Sequence, residues 1–141
     1  MPNTASSAIP AAPVTNDRAA LLAKIPDLAA EISKEAARRD LERELPHEAF
    51  RLFKEVGLGA LRIPVALGGP GGSVVDYIDM IMAIGAADSN VAHALRSHFN
   101  FTEALLLNPN SALDRTQLSR VLKVYGFEIW TCFPEVRWIE V

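Results

Sequence analysis

Apolar side chains recur every three to four residues along most of this chain, the repeat that lays one stripe down the side of an α-helix. Between residues 16 and 45 the stripe is Leu21, Leu22, Ile25, Leu28, Ala29 and Ile32, preceded by the capping residues Thr15, Asn16 and Asp17. Pro26 removes one backbone donor and crowds the turn before it, so the spacing predicts a kink or two short helices laid end to end. From Glu31 to Glu44 charges of both signs crowd together, as on a solvated face.

Pro46 suits the first turn of a second helix, with Glu48 near its positive end, an apolar side of Phe50, Phe53 and Val56, and Gly57 to end it. Leu58 to Pro64 reads as a short extended crossing, and Gly68-Gly69-Pro70-Gly71-Gly72 cannot be regular structure. Ser73 with Asp76 has the form of a helix start. In the helix that follows, Ser73 to Ala87, Val74, Val75, Ile78, Met80, Ile81, Met82 and Ile84 lie on nearly every side, which predicts a central helix buried all round. Asp88 and Ser89 cap a fourth helix from about Asn90 to Leu107. After the turn Asn108-Pro109-Asn110-Ser111 a fifth is expected from Ala112 to Tyr125. No alternating strand precedes residue 126. The expected fold is an all-α orthogonal bundle of five to six helices over residues 16–126, between a flexible tail at 1–15 and an atypical tail at 127–141.

Composition narrows the function classes. Half of the 141 residues are hydrophobic and 22% are charged, as in an ordinary single globular domain. A net charge of −3 gives no electrostatic reason to expect nucleic acid or an anionic membrane. No run approaches the roughly 20 apolar residues of a membrane-spanning helix. Met1 to Thr15 has neither the basic start of a secretory signal nor the arginines of a mitochondrial presequence, so a cytoplasmic protein is expected. A lone Cys132 excludes an internal disulfide framework and a multi-cysteine zinc site, and no histidine lies near it in sequence to activate the thiol.

The candidate chemistry is sparse. The glycine cluster lacks the lysine-hydroxyl pair of a phosphate loop, since Ser73 and Val74 follow Gly72, and it lacks the strand–helix–strand setting of a dinucleotide fingerprint. It reads as a bend between helices. On the fourth helix His93, Arg96 and Asn100, spaced three and then four residues apart, share one face, with Ala92 and Phe99 at its flanks. Such a polar stripe is either a cavity wall or a surface stripe. His98 lies off it and reads as an exposed or hydrogen-bonded histidine. His93 and His98 are five apart, on different faces, so they do not form a helical two-histidine metal site, and no Gly-x-Ser-x-Gly elbow is present.

Taken in order, Leu45-Pro46-His47-Glu48-Ala49-Phe50, Val56-Gly57-Leu58, Leu61-Arg62-Ile63-Pro64 and Gly68-Gly69-Pro70-Gly71 resemble the amino-terminal domain of acyl-CoA dehydrogenases. The run Ala86-Ala87-Asp88-Ser89-Asn90-Val91-Ala92-His93-Ala94-Leu95 is similar to that family's fourth helix, and the likeness covers about residues 17 to 125. It implies a lobe of an enzyme completed by a middle β-barrel and a second helical bundle, with FAD between those two domains and the dehydrogenase base on the last. It further implies that the fourth helix walls the pocket for an acyl-CoA-like or other small substrate, with Ala92, His93 and Arg96 facing it. The pattern Asp88…Val91-Ala92-His93…His98 resembles the flavin-dependent monooxygenase and sulfur-acquisition branch, in which a histidine equivalent to His93 sits beside the flavin. No catalytic residue is assigned with certainty; His93 is the candidate, and Ala92, His93, Arg96 and Asn100 are the candidate pocket residues. Arg96 disfavours a long fatty-acyl channel, because an unpaired guanidinium is costly there.

The sequence departs from the family at Val65-Ala66-Leu67, where charged and aromatic residues are usual, and at Phe127 to Val141 in place of a Gly-rich, Thr-containing continuation. That tail is expected to be a frameshifted or early ending, or a segment folded back on the helices. The alternatives to an oxidoreductase lobe, incomplete in itself, are a small helical interaction module, such as a homo-oligomer, and a non-functional gene fragment.

Overall fold

The computed structural model describes residues 17–107. The expected fifth helix at Ala112–Tyr125, the two tails and Cys132 lie outside the described residues. Among the described residues every regular element is helical, as the all-α expectation requires: α1 (Arg18–Leu22), α2 (Ile25–Ser33), α3 (Ala36–Glu42), α4 (His47–Val56), α5 (Val74–Ala87) and α6 (Ser89–Leu107).

The first periodic segment divides into three helices, one more than the single break at Pro26 predicts. Asp17 opens α1 by accepting from the Ala19 and Ala20 N–H groups at 2.9 and 3.2 Å. Pro26 falls in the first turn of α2, where a missing donor costs nothing. A second break precedes α3, which ends as Arg43 enters the left-handed region at φ 55°. The charge-dense stretch is solvated except at Arg39, which turns inward: Arg38 is paired with Glu35, Glu42 and Glu44 at 2.6, 2.7 and 2.8 Å, all on half-exposed side chains. Such pairs contribute little individually.

Pro46 stands just before α4 as its cap, and Gly57 ends that helix at φ 85°, a conformation that suits glycine. The expected extended crossing at Leu58–Pro64 is not formed. Leu58–Ala60 is a 3-10 turn, and the N–H groups of Ala60, Leu61 and Ile63 bond back to carbonyls three residues earlier. Tertiary packing decides this: the side chains of Leu58, Ala60, Leu61 and Ile63 are all fully buried, and coiled backbone satisfies its own polar groups where no neighbouring strand exists to do so.

The glycine run is a bend, as expected, and its tightness has a cause. Gly69 and Gly72 press against the preceding segment so closely that a Cβ would lie 2.3 Å from the Ile63 carbonyl oxygen and 2.5 Å from a Leu61 methyl. Ser73 then caps α5 through a reciprocal box with Asp76, whose N–H donates to Ser73 Oγ at 3.1 Å.

Helix α5 packs between α2 and α6, so its central placement holds. Its burial all round does not. Met80, Ile84 and Asp76 are buried, whereas Val74, Val75, Ile78 and Met82 are 45–66% exposed on the opposite side. An apolar side chain reports a preference for burial, but only a neighbouring element can supply the cover. The core is formed by Leu21, Ile25, Leu28 and Ile32 from the first two helices, Phe53 from α4, Met80 and Ile84 from α5, and Val91, Leu95 and Phe99 from α6.

Two ion pairs tie distant segments together. Arg18 donates twice to the Asp76 carboxylate at 2.7 Å, joining the start of α1 to the start of α5. That hydrogen bonding holds the Asp76 carboxyl well below the usual carboxylate range, against the opposing effect of its desolvation. Arg39 and Asp88, 8% and 7% exposed, meet at 2.8 Å. Asp88 also accepts from the Asn90 and Val91 N–H groups, so one carboxylate caps α6 and neutralises a guanidinium from α3.

Candidate functional site

The chain reverses at Asp88, and α5 and α6 lie antiparallel: Gly85 sits beside Ala92, and farther back Tyr77 packs on Phe99 with ring centroids 4.6 Å apart. Ala92 is 7% exposed, and a Cβ at Gly85 would meet the Ala92 methyl at 3.6 Å. The small side chain thus serves the close approach of the two helices. Val91, Leu95, His98 and Thr102 turn toward the core.

That leaves His93, Arg96 and Asn100 on the outer side of α6, all three exposed. Steps of three and four residues place them about one turn, roughly 5.4 Å, apart along the axis. None of their side chains has a hydrogen-bond or ion-pair partner among the described residues. Helical spacing and antiparallel packing put the exposed ridge of Val75, Ile78 and Met82 on the same outer side, next to this polar ridge.

The neighbourhood of Arg96 contains groups that sequence reasoning missed. Tyr77 is partly buried, and its hydroxyl is pushed up by desolvation and by the negative charge of Glu103, while Arg96 acts to lower it; the phenol therefore stays protonated at neutral pH. Glu103 is the one acidic residue within α6, and Arg62 holds it: Nε donates to one carboxylate oxygen and Nη2 to the other at 3.1 Å. The same guanidinium donates to the Gly72 carbonyl, so it also pins the glycine bend to α6. Arg62 and Glu103 lie 41 positions apart, and nothing in local pattern links them.

His98 is off the outer stripe, as spacing implied, and is 1% exposed. Its Nε2 lies 2.8 Å from the Gly59 carbonyl oxygen; a carbonyl only accepts, so Nε2 carries the proton and donates. Burial pushes its pKa down, opposed in part by that hydrogen bond. This histidine is a neutral core strut between α6 and the 3-10 turn.

The glycine run offers no cradle for a diphosphate. Gly68, Gly69, Gly71 and Gly72 donate their N–H groups to the carbonyls of Val65, Pro64, Ile63 and Leu61 at 2.8–3.0 Å, and Pro70 has none to give. Among the described residues no group of three His, Cys, Asp or Glu side chains is placed to hold a metal ion, and no helix is long and apolar enough to cross a membrane. On α6 the side-chain donors of His93, Arg96 and Asn100 are exposed.

Comparison with known proteins agrees with the helical order. The family model described as acyl-CoA dehydrogenase, N-terminal domain, matches residues 15–123. No curated protein and no solved structure gives a significant match. With that match running over most of its length and the described part of it all helical, the chain belongs to the acyl-CoA dehydrogenase family, of which it carries the N-terminal domain.

Proposed function

We propose that this lobe supplies one wall of the substrate and flavin pocket of an FAD-dependent oxidoreductase, through the outer face of α6. The observation that carries the reading is the row His93, Arg96 and Asn100, three donor-bearing side chains on one face without partners among the described residues. Ala92 stands behind the row and sets the spacing to α5. In the family the facing walls come from a β-barrel and a second helical bundle, and FAD lies between those two.

FAD fits this lobe only along one side. The glycine N–H groups are already committed to backbone carbonyls, so the diphosphate grip belongs elsewhere, and in this reading His93 meets a polar edge of the flavin. Bound flavin would supply the redox chemistry, and the His93 imidazole would offer it a hydrogen-bonding ring nitrogen. That role for His93 follows the resemblance to the monooxygenase and sulfur-acquisition branch, in which a histidine equivalent to His93 sits beside the flavin. A lone wall leaves a ligand largely solvated, whereas binding sites bury most of it. The lobe by itself should therefore bind FAD weakly and turn over no acyl-CoA.

Titrating the isotope-labelled 141-residue chain with FAD and following its amide NMR signals tests this. Weak, fast-exchange shifts confined to the outer side of α6, lost in His93→Ala, are expected. Shifts centred on residues 68–72, or stoichiometric retention of flavin, would overturn it.

A further inference from the structure

Arg96 differs from most of its kind in this fold. Arg18, Arg38, Arg39, Arg51 and Arg62 are each paired with a carboxylate, while Arg96, like Arg43 at the end of α3, has none among the described residues. The surrounding charges are arranged to keep it so. The one carboxylate within α6, Glu103, is clamped by both arms of Arg62 and cannot turn to Arg96 without breaking a bidentate pair. At the start of α5, Asp76 is held in the same way by Arg18. Asp79 falls on the side of α5 away from α6, by its helical position relative to Tyr77 and Gly85. The Tyr77 phenol within electrostatic reach of Arg96 stays neutral and so adds no negative charge. One turn further along, Asn100 adds an amide donor on the same face, and His93 lies one turn before.

A planar fork of donors, with no acid to satisfy it and an amide beside it, is the arrangement that recognises an oxyanion. We infer that Arg96 and Asn100 form a subsite for an anionic oxygen group (a carboxylate, sulfonate or phosphate) on the ligand that meets this wall. The subsite selects a compact, negatively charged substrate or cofactor group. The exposed ridge of Val75, Ile78 and Met82 offers an apolar surface to the rest of such a ligand. The inference rests on the reading of α6 as a ligand wall.

The test uses the isotope-labelled full chain and three separate probes: acetate, methanesulfonate and inorganic phosphate, at constant ionic strength. At least one is expected to give saturable shifts at Arg96, Asn100 and Tyr77, and the tightest of the three assigns the anion class. Arg96→Gln should weaken that response about tenfold or more, and Arg96→Lys, which keeps charge but loses the fork, should fall between. Lys24→Gln, which removes an exposed cation at the start of α2, should leave it unchanged. Unsaturable shifts, or shifts equal in Arg96→Gln, would overturn the subsite, as would a parent chain indifferent to all three because a carboxylate of its own already occupies Arg96. FAD shifts along α6 with no anion response would remove the subsite and leave the wall. Anion shifts without FAD shifts would do the reverse.

Discussion

Replacing Asp88 by alanine removes two contributions at one position. The Asn90 and Val91 N–H groups at the start of α6 lose their acceptor, which costs about 1 kcal/mol by the usual worth of a cap. The guanidinium of Arg39, 8% exposed, is left without its counter-charge, and breaking a buried pair from one side costs about 3–5 kcal/mol. A loss of about 4–6 kcal/mol consumes much of the roughly 5–15 kcal/mol typical of a domain, so Asp88→Ala should be close to unfolding at room temperature. Asp88→Asn is the informative partner, because its one oxygen keeps the cap at the Oδ1 position while its NH2 replaces the Oδ2 that accepts from Arg39; a loss of about 3 kcal/mol, smaller than that of Asp88→Ala, is expected. Arg39→Met strands the carboxylate instead but removes a guanidinium whose Nε has no hydrogen-bond partner in its buried setting. Combining Arg39→Met with Asp88→Asn replaces the pair by a neutral cap and an apolar chain of similar length. The double variant should be more stable than the sum of the single losses by about 1 kcal/mol or more. Urea unfolding followed by circular dichroism, with the denaturant slope checked for constancy, measures all four corners. Strictly additive losses, or an Asp88→Ala chain within about 0.5 kcal/mol of the parent, would refute the buried-pair account.

Three other perturbations follow from the structure. Because burial lowers the folded-state pKa of His98, the unfolded chain binds the extra proton first; stability is full above about pH 6.5 and declines as pH falls below it, and His98→Gln should flatten that slope in pH-dependent melting. The lowered carboxyl of Asp76 contributes stability that is present above about pH 4 and lost on further acidification, so Asp76→Asn should weaken the domain at neutral pH and shrink the acid limb of its stability curve; an unchanged limb counts against the Arg18 pairing. Met80→Ala should cost about 2–5 kcal/mol and Met82→Ala under about 0.5 kcal/mol, and equal losses would show that α5 is covered on both sides after all.

Part of the candidate site was legible as spacing. His93, Arg96 and Asn100 share a face by the geometry of any α-helix, and the structure places them on one exposed side. Their surroundings were not legible. Tyr77 reaches this region because α5 doubles back on α6, and Arg62 reaches Glu103 across 41 positions. The role of His98 was open for the same reason: its spacing excluded it from the stripe, but its bond to Gly59 depends on where the 3-10 turn packs.

What the amino-acid order determined by itself was everything set by neighbours along the chain. Asp17 and Ser73 cap the helices that follow them, Gly57 ends α4, and the glycine run bends, because these features depend on a few adjacent dihedral angles and N–H groups. Tertiary structure alone decided which side of α5 met the core, why Leu58–Pro64 coiled rather than extended, and which carboxylates Arg18, Arg39 and Arg62 took. Periodicity states that a helix has an apolar side; it carries no information about which other element arrives to cover it. The exposed ridge of Val75, Ile78 and Met82 is where that difference shows, since its residues read as core and no described helix covers them.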